Sequence, residues 1–145
     1  MALNRHDRKL RITPSQNGAV REPLVTRVLA ALIGAFYLLT GAWALLAPQS
    51  FFNAVATFAP LNIHLLHDAG AFQVGLGLAL TVAVATRAPL RVPLVAVLAA
   101  SVLHAIAHVE DVHLGGHPSR DLPVLALICV ALATALVAEV RAERA

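Results

Sequence analysis

Residues 28–47 read VLAALIGAFYLLTGAWALLA, a run of 20 residues without one charged side chain. At about 1.5 Å per residue, a helix of this length covers the ~30 Å hydrocarbon core of a bilayer. A basic stretch precedes the run, as in a secretory signal peptide, but such apolar regions extend over only about 7–15 residues. The nearest small-residue site, Ala44-Leu45-Leu46-Ala47, also runs directly into Pro48. We therefore read about 24–47 as a first membrane-spanning helix.

Working outward, three more apolar runs follow, at about 68–86, 92–109 and 122–139. None of the four carries the polar stripe that a helix of a soluble bundle turns to water. Arg87-Ala-Pro-Leu-Arg91 is too short to separate the second and third spans, so they should be antiparallel neighbours. Ala71 and Gly75, four apart in the second span, are small enough to admit a neighbouring helix closely. Between Pro48 and Pro60, Phe51, Phe52, Val55 and Phe58 fall on one helical face, and a short helix lying in the interface is expected there. Asp121 is the expected N-cap of the fourth span, with Pro123 in its first turn. Gln73 and Thr40, isolated polar residues within spans, should be hydrogen-bond partners between helices. The fold class is an all-α integral membrane four-helix bundle. A transmembrane domain over 24–145 follows a flexible basic tail over 1–23, where polar residues, Gly and Pro without apolar period cannot bury a core.

Composition agrees: 59% of the 145 residues are hydrophobic and 13% charged, far from a soluble domain. The net charge of +3 does not signal nucleic acid, because only Arg5, Arg8, Lys9 and Arg11 are closely grouped and no stacking aromatics interleave with them. It signals orientation. Ten of the 11 Lys and Arg residues (Arg5, Arg8, Lys9, Arg11, Arg21, Arg27, Arg87, Arg91, Arg141 and Arg144) fall on the side of the chain ends, and Arg120 alone on the other. Short cytoplasmic segments accumulate such residues, which places both ends of this multi-pass chain in the cytoplasm. Trp43, near the far end of the first span, suits the outer interface. The single Cys129 allows neither an intrachain disulfide nor a cysteine-based zinc site.

Histidine shows the opposite bias. His64, His67, His104, His108, His113 and His117 fall at or beyond the outer span ends, with Asp68, Glu110, Asp111 and Asp121 on the same side. His104, His108 and Asp111 occupy a narrow arc of one helix, and His64, His67 and Asp68 form a second group if HLLHD is already helical. His104 lies about one turn inside the apolar boundary, and Asp68 and His67 are its expected partners. These six residues, His64, His67, Asp68, His104, His108 and Asp111, are the candidate ligands for a transition metal or haem. The same groups suit a polar clasp between helices, a proton-responsive site, or proton exchange with an apolar substrate of an isomerase or hydrolase. The residues alone leave these alternatives open. His104-Ala-Ile-Ala-His108 lacks the glutamate of a metalloprotease helix, and no phosphate loop, dinucleotide fingerprint or nucleophile elbow occurs. His113 and His117 flank Gly115 and Gly116 and belong to a loop.

Gly41-Ala-Trp-Ala-Leu-Leu-Ala-Pro48, His67-Asp-Ala-Gly-Ala-Phe72 and His104-Ala-Ile-Ala-His-Val-Glu-Asp-Val-His-Leu-Gly-Gly116 occur in an order that resembles small four-helix membrane proteins of the DoxX-like superfamily. The resemblance spans about residues 24–140 and transfers no catalytic residue. It implies a four-helix bundle in the plasma membrane, with a protein partner and a link to redox or quinone complexes. The expected function is that of a small membrane protein without independent catalysis, in contact with the bilayer and assembling as a homo-oligomer or within a larger complex. The alternatives are a metal- or haem-binding redox protein and a membrane enzyme.

Overall fold

A computed structural model describes residues 23–144, so all of the expected basic tail except Pro23 lies outside the described residues. The described residues form five helices: α1 (Leu24–Leu46), α2 (Pro48–Ala54), α3 (Ile63–Thr86), α4 (Arg91–Glu110) and α5 (Pro118–Ala142). Four of them, α1, α3, α4 and α5, are long and apolar enough to cross a membrane. Leu39, Leu46, Val92 and Leu127 are each more than two-thirds exposed on this bundle. An apolar exterior of this extent is what a bilayer solvates and water does not. The chain is a small membrane protein of the four-helix type, with the short α2 where an interfacial helix was expected.

The closest packing is between α1 and α3. A Cβ placed on Gly77 would stand 2.8 Å from the Gly34 carbonyl oxygen, and one on Gly41 or Gly70 would stand 2.8 Å from the carbonyl oxygen of the other. Only residues without a side chain permit backbones to meet so closely, which is how helices gain dispersion contact when lipid supplies no hydrophobic driving force. Each helix carries its two glycines seven residues apart, hence two turns along one face. This pairing corrects the expectation for Ala71 and Gly75. Both are exposed, and a Cβ on Gly75 would meet nothing within 4 Å.

The glycine contact sets the register for polar links on either side of it. Thr40 Oγ1 donates to Gln73 Oε1 at 2.6 Å, the interhelical bond expected of these two residues. Nearer the chain ends, Arg27 donates to the Val84 carbonyl at 3.2 Å, one of the oxygens left over at the C-terminal end of α3. Arg87 ends that helix in the left-handed conformation, φ 57°, with its N–H directed to the Ala83 and Val84 carbonyls.

The second pair is α4 with α5, and α5 also packs on α1, where Thr26 Oγ1 donates to the Ala135 carbonyl at 3.3 Å. Across the short turn the contact of α3 with α4 is slight beside that of α1 with α3. One buried core joins Ile33 and Tyr37 of α1, Leu80 of α3, Leu90 beside the turn, Leu94 and Val97 of α4, and Ile128 and Leu132 of α5. Within it the Tyr37 hydroxyl lies 2.7 Å from Ser101 Oγ. Ser101 donates its own proton to the Val97 carbonyl at 2.7 Å, so Tyr37 is the donor of the pair. At the end of the bundle holding the chain ends, Arg91 meets Glu143 at 3.0 Å and ties α4 to α5.

Two helices begin before the apolar runs they carry. α3 opens at Ile63, where Asn62 caps it by accepting the Leu65 N–H at 3.1 Å. α5 opens at Pro118, with His117 and not Asp121 at the N-cap position. Pro118 fits the first helical position, where the missing N–H costs no bond. Asp121 instead reaches back from inside the helix to accept the His117 N–H at 2.9 Å, in the manner of the acidic member of a capping box.

Gly77→Ala should destabilise the bundle by about 1–3 kcal/mol through overpacking, while Gly75→Ala should stay within about 0.5 kcal/mol of wild type. Unfolding in mixed micelles, followed by circular dichroism, measures both.

Candidate functional site

The polar residues expected to matter gather at the end of the bundle opposite the chain ends, and the local chain geometry decides which of them meet. Ala47 alone separates α1 from α2, and Pro48 starts the new helix. Phe51 of α2, 5% exposed, packs in a small second core with Ala44 and Leu66. Trp43 lays its ring edge-on against Phe51 with centroids 5.5 Å apart, and its Nε1 donates to Ser50 Oγ at 3.3 Å.

α2 ends at Ala54, so Val55 and Phe58 do not continue its apolar face as the spacing suggested. Phe58 instead packs against the turn between α4 and α5. A Cβ on Gly116 would stand 2.8 Å from Phe58 Cζ, and one on Gly115 would stand 2.9 Å from the Thr57 carbonyl oxygen. Both glycines also have positive φ, 146° and 77°, a conformation other residues rarely adopt. The Gly116 N–H points to the Thr57 carbonyl at 3.4 Å.

Arg120 fastens the same joint. It donates to the Ala54 carbonyl at 2.8 Å and the Val55 carbonyl at 3.2 Å, and its Nε meets Asp121 Oδ1 at 2.9 Å. A cation at the C-terminal end of α2 is favoured by the partial negative charge of those carbonyls. The linker after α2 and the turn before α5 are therefore held as one unit by a fork of donors, an aromatic ring and two glycines.

Four of the six candidate ligands meet in pairs. His104 and His108 on α4 stand edge to face with ring centroids 4.7 Å apart, and His108 presents a second edge contact to Phe58 at 5.6 Å. His64 Nε2 lies 3.5 Å from Asp68 Oδ2 across one turn of α3. His67 and Asp111 are exposed. Among the described residues the expected partners of His104 are engaged elsewhere or left to the surface: Asp68 pairs with His64 on its own helix, and His67 is exposed. Among the described residues, no group of three or more His, Cys, Asp or Glu side chains is gathered so as to hold a metal ion. His104 and His108 supply two imidazoles at one place, and the structure brings no third ligand to them.

No family model, no curated protein and no solved structure matches this chain.

Two residues carry more than their place in the sequence suggested. Arg120, counted there only as the lone cation on its side, clamps the linker after α2 to the turn before α5. Glu139, the last residue of the expected fourth span, is 3% exposed on α5. The signal for Glu139 was present, since Leu125, Ile128, Leu132, Ala135 and Glu139 recur at alternating steps of three and four along one buried stripe.

Arg120→Met should remove charge-assisted bonds worth about 1.5–3 kcal/mol each where they are shielded from water, and less at this exposed position. The expected readout is faster amide exchange at residues 55–62 with the exchange of α1 and α3 unchanged.

Proposed function

We propose that the chain is a four-span plasma-membrane protein without catalysis of its own, acting as an accessory subunit that associates through its second span. The observation that carries this reading is the outward face of α3. Gly34, Gly41, Gly70 and Gly77 are used up between α1 and α3, whereas Ala71 and Gly75 stay exposed one turn apart, with open space at Gly75. In lipid, a small-residue step of four is a place where another helix can come close. The resemblance to the DoxX-like group, whose characterised members tend to be small subunits of redox or quinone-linked complexes, favours the same role.

The ten-to-one distribution of Lys and Arg supports an orientation with both chain ends in the cytoplasm. In this arrangement α2, the Phe58 linker and the histidines face outward. The Arg120 joint and the two histidine pairs then serve as a polar clasp where the helices leave the bilayer. A second reading, metal or haem binding, is favoured by the ring contact of His104 with His108, and by that alone.

Gly75→Leu should abolish a dimer or co-purified partner in mild detergent while leaving the thermal transition in place, and a wild-type particle that is strictly monomeric with turnover of its own would refute the accessory role. A fluorescent protein fused after Ala145 should fold in the cytoplasm, and a single cysteine placed at Ser119 in a Cys129→Ala background should react with an impermeant maleimide on whole cells. Untagged protein carrying stoichiometric metal or a haem band, lost in His104→Ala/His108→Ala, would move the second reading to first place.

A further inference from the structure

A groove runs along the outside of the bundle between α4 and α5. Its walls are Val102, Ala105, Ile106 and Val109 of α4 with Ala126 and Cys129 of α5, and Glu110 stands at its end toward the loops. It is a shallow, open depression of about 410 Å³, with Ala105 and Ala126 the smallest side chains of its lining. From Val102 to Glu110 it extends over eight residues of helix, or roughly 12 Å.

The charge at its mouth is the informative feature. Glu110 is the last residue of α4 and Asp111 its C-cap, where the partial negative charge of the helix end disfavours a carboxylate. The ion pairs seen among the described residues, such as His64–Asp68, Arg91–Glu143 and Arg120–Asp121, involve neither of them. Arg120, the one Lys or Arg at this end of the described residues, is engaged with Asp121 and the carbonyls of Ala54 and Val55. An apolar depression that ends at two exposed carboxylates is complementary to an amphiphile with an apolar tail and a cationic head.

We propose that this groove binds one phospholipid with an ammonium headgroup, its acyl chain lying along Ala105, Ala126 and Cys129 and its ammonium paired with Glu110. The inference rests on the membrane reading of the chain and not on its orientation or on any protein partner. A carboxylate at the groove end selects against anionic headgroups, while the apolar walls hold the acyl chain of any lipid. Specificity therefore belongs to Glu110 and retention to the groove.

Native mass spectrometry of the full chain, released from vesicles containing equal parts phosphatidylethanolamine and phosphatidylglycerol, tests this. One retained phosphatidylethanolamine per chain is expected, in excess over phosphatidylglycerol by about tenfold, the contribution of one charge-assisted hydrogen bond. Glu110→Gln should remove the preference and keep the retention, and Ala126→Phe should remove the retention. Should Ala126→Phe fail to fold, N-ethylmaleimide labelling of Cys129 replaces it, and should be slower in phosphatidylethanolamine vesicles than in phosphatidylglycerol vesicles, with the difference lost in Glu110→Gln. Equal retention of the two lipids by wild type, an unchanged preference in Glu110→Gln, retention that survives Ala126→Phe in a folded protein, or Cys129 labelling that is the same in both vesicles would overturn the proposal. Loss of the association expected at Gly75 would leave it standing.

Discussion

Everything in this bundle is positioned by the meeting of two backbones. Gly34 with Gly77 and Gly41 with Gly70 bring α1 and α3 to a separation at which a single added methyl group would collide with a carbonyl oxygen. In water, a helix pair is held largely by apolar area withdrawn from solvent. In lipid that term is absent between helices, and close van der Waals contact takes its place. Four glycines thus fix the rotation of α3 about its own axis, and every other assignment follows from that rotation. Thr40 reaches Gln73, and Arg27 reaches the end of α3.

The spans and their number were legible in the sequence because length and hydropathy are local properties. A run such as 28–47 needs no tertiary information to be recognised as long enough to cross a bilayer. Rotation about the helix axis was not legible. α3 is apolar almost all the way round, so no polar stripe marks which side is inside. Which histidines of α3 and α4 meet could not be read for this reason, since that depends on how two helices are turned toward each other. Glycine spacing held the missing information, but Gly70, Gly75 and Gly77 looked equivalent until α1 was seen to offer matching positions at 34 and 41.

The loop end shows a different division. The short interfacial helix could be anticipated from Phe51 and Phe52, yet the periodicity that swept in Val55 and Phe58 overran its true end. Apolar spacing cannot tell a continuing helix from a linker whose ring is needed elsewhere. What the ring meets lies almost sixty residues on, in Gly115 and Gly116, and two glycines in a row read only as a flexible turn. Arg120 was likewise invisible as a clamp, because the carbonyls it serves belong to a helix that precedes it by an entire hairpin. Joints of this kind depend on contacts distant in sequence, and such contacts leave no local trace.

The hydrogen bond from Tyr37 to Ser101 has a direction, and the direction limits what the interior can carry. The phenol proton goes to the serine oxygen, and the serine proton goes to the main-chain carbonyl of Val97. A carbonyl accepts and has nothing to hand on, so the chain of donors ends inside α4. Proton conduction requires each member of a relay to receive at one side and release at the other, and this series stops after two members. The polar atoms at the centre of the bundle form a strut between α1 and α4 and not a wire.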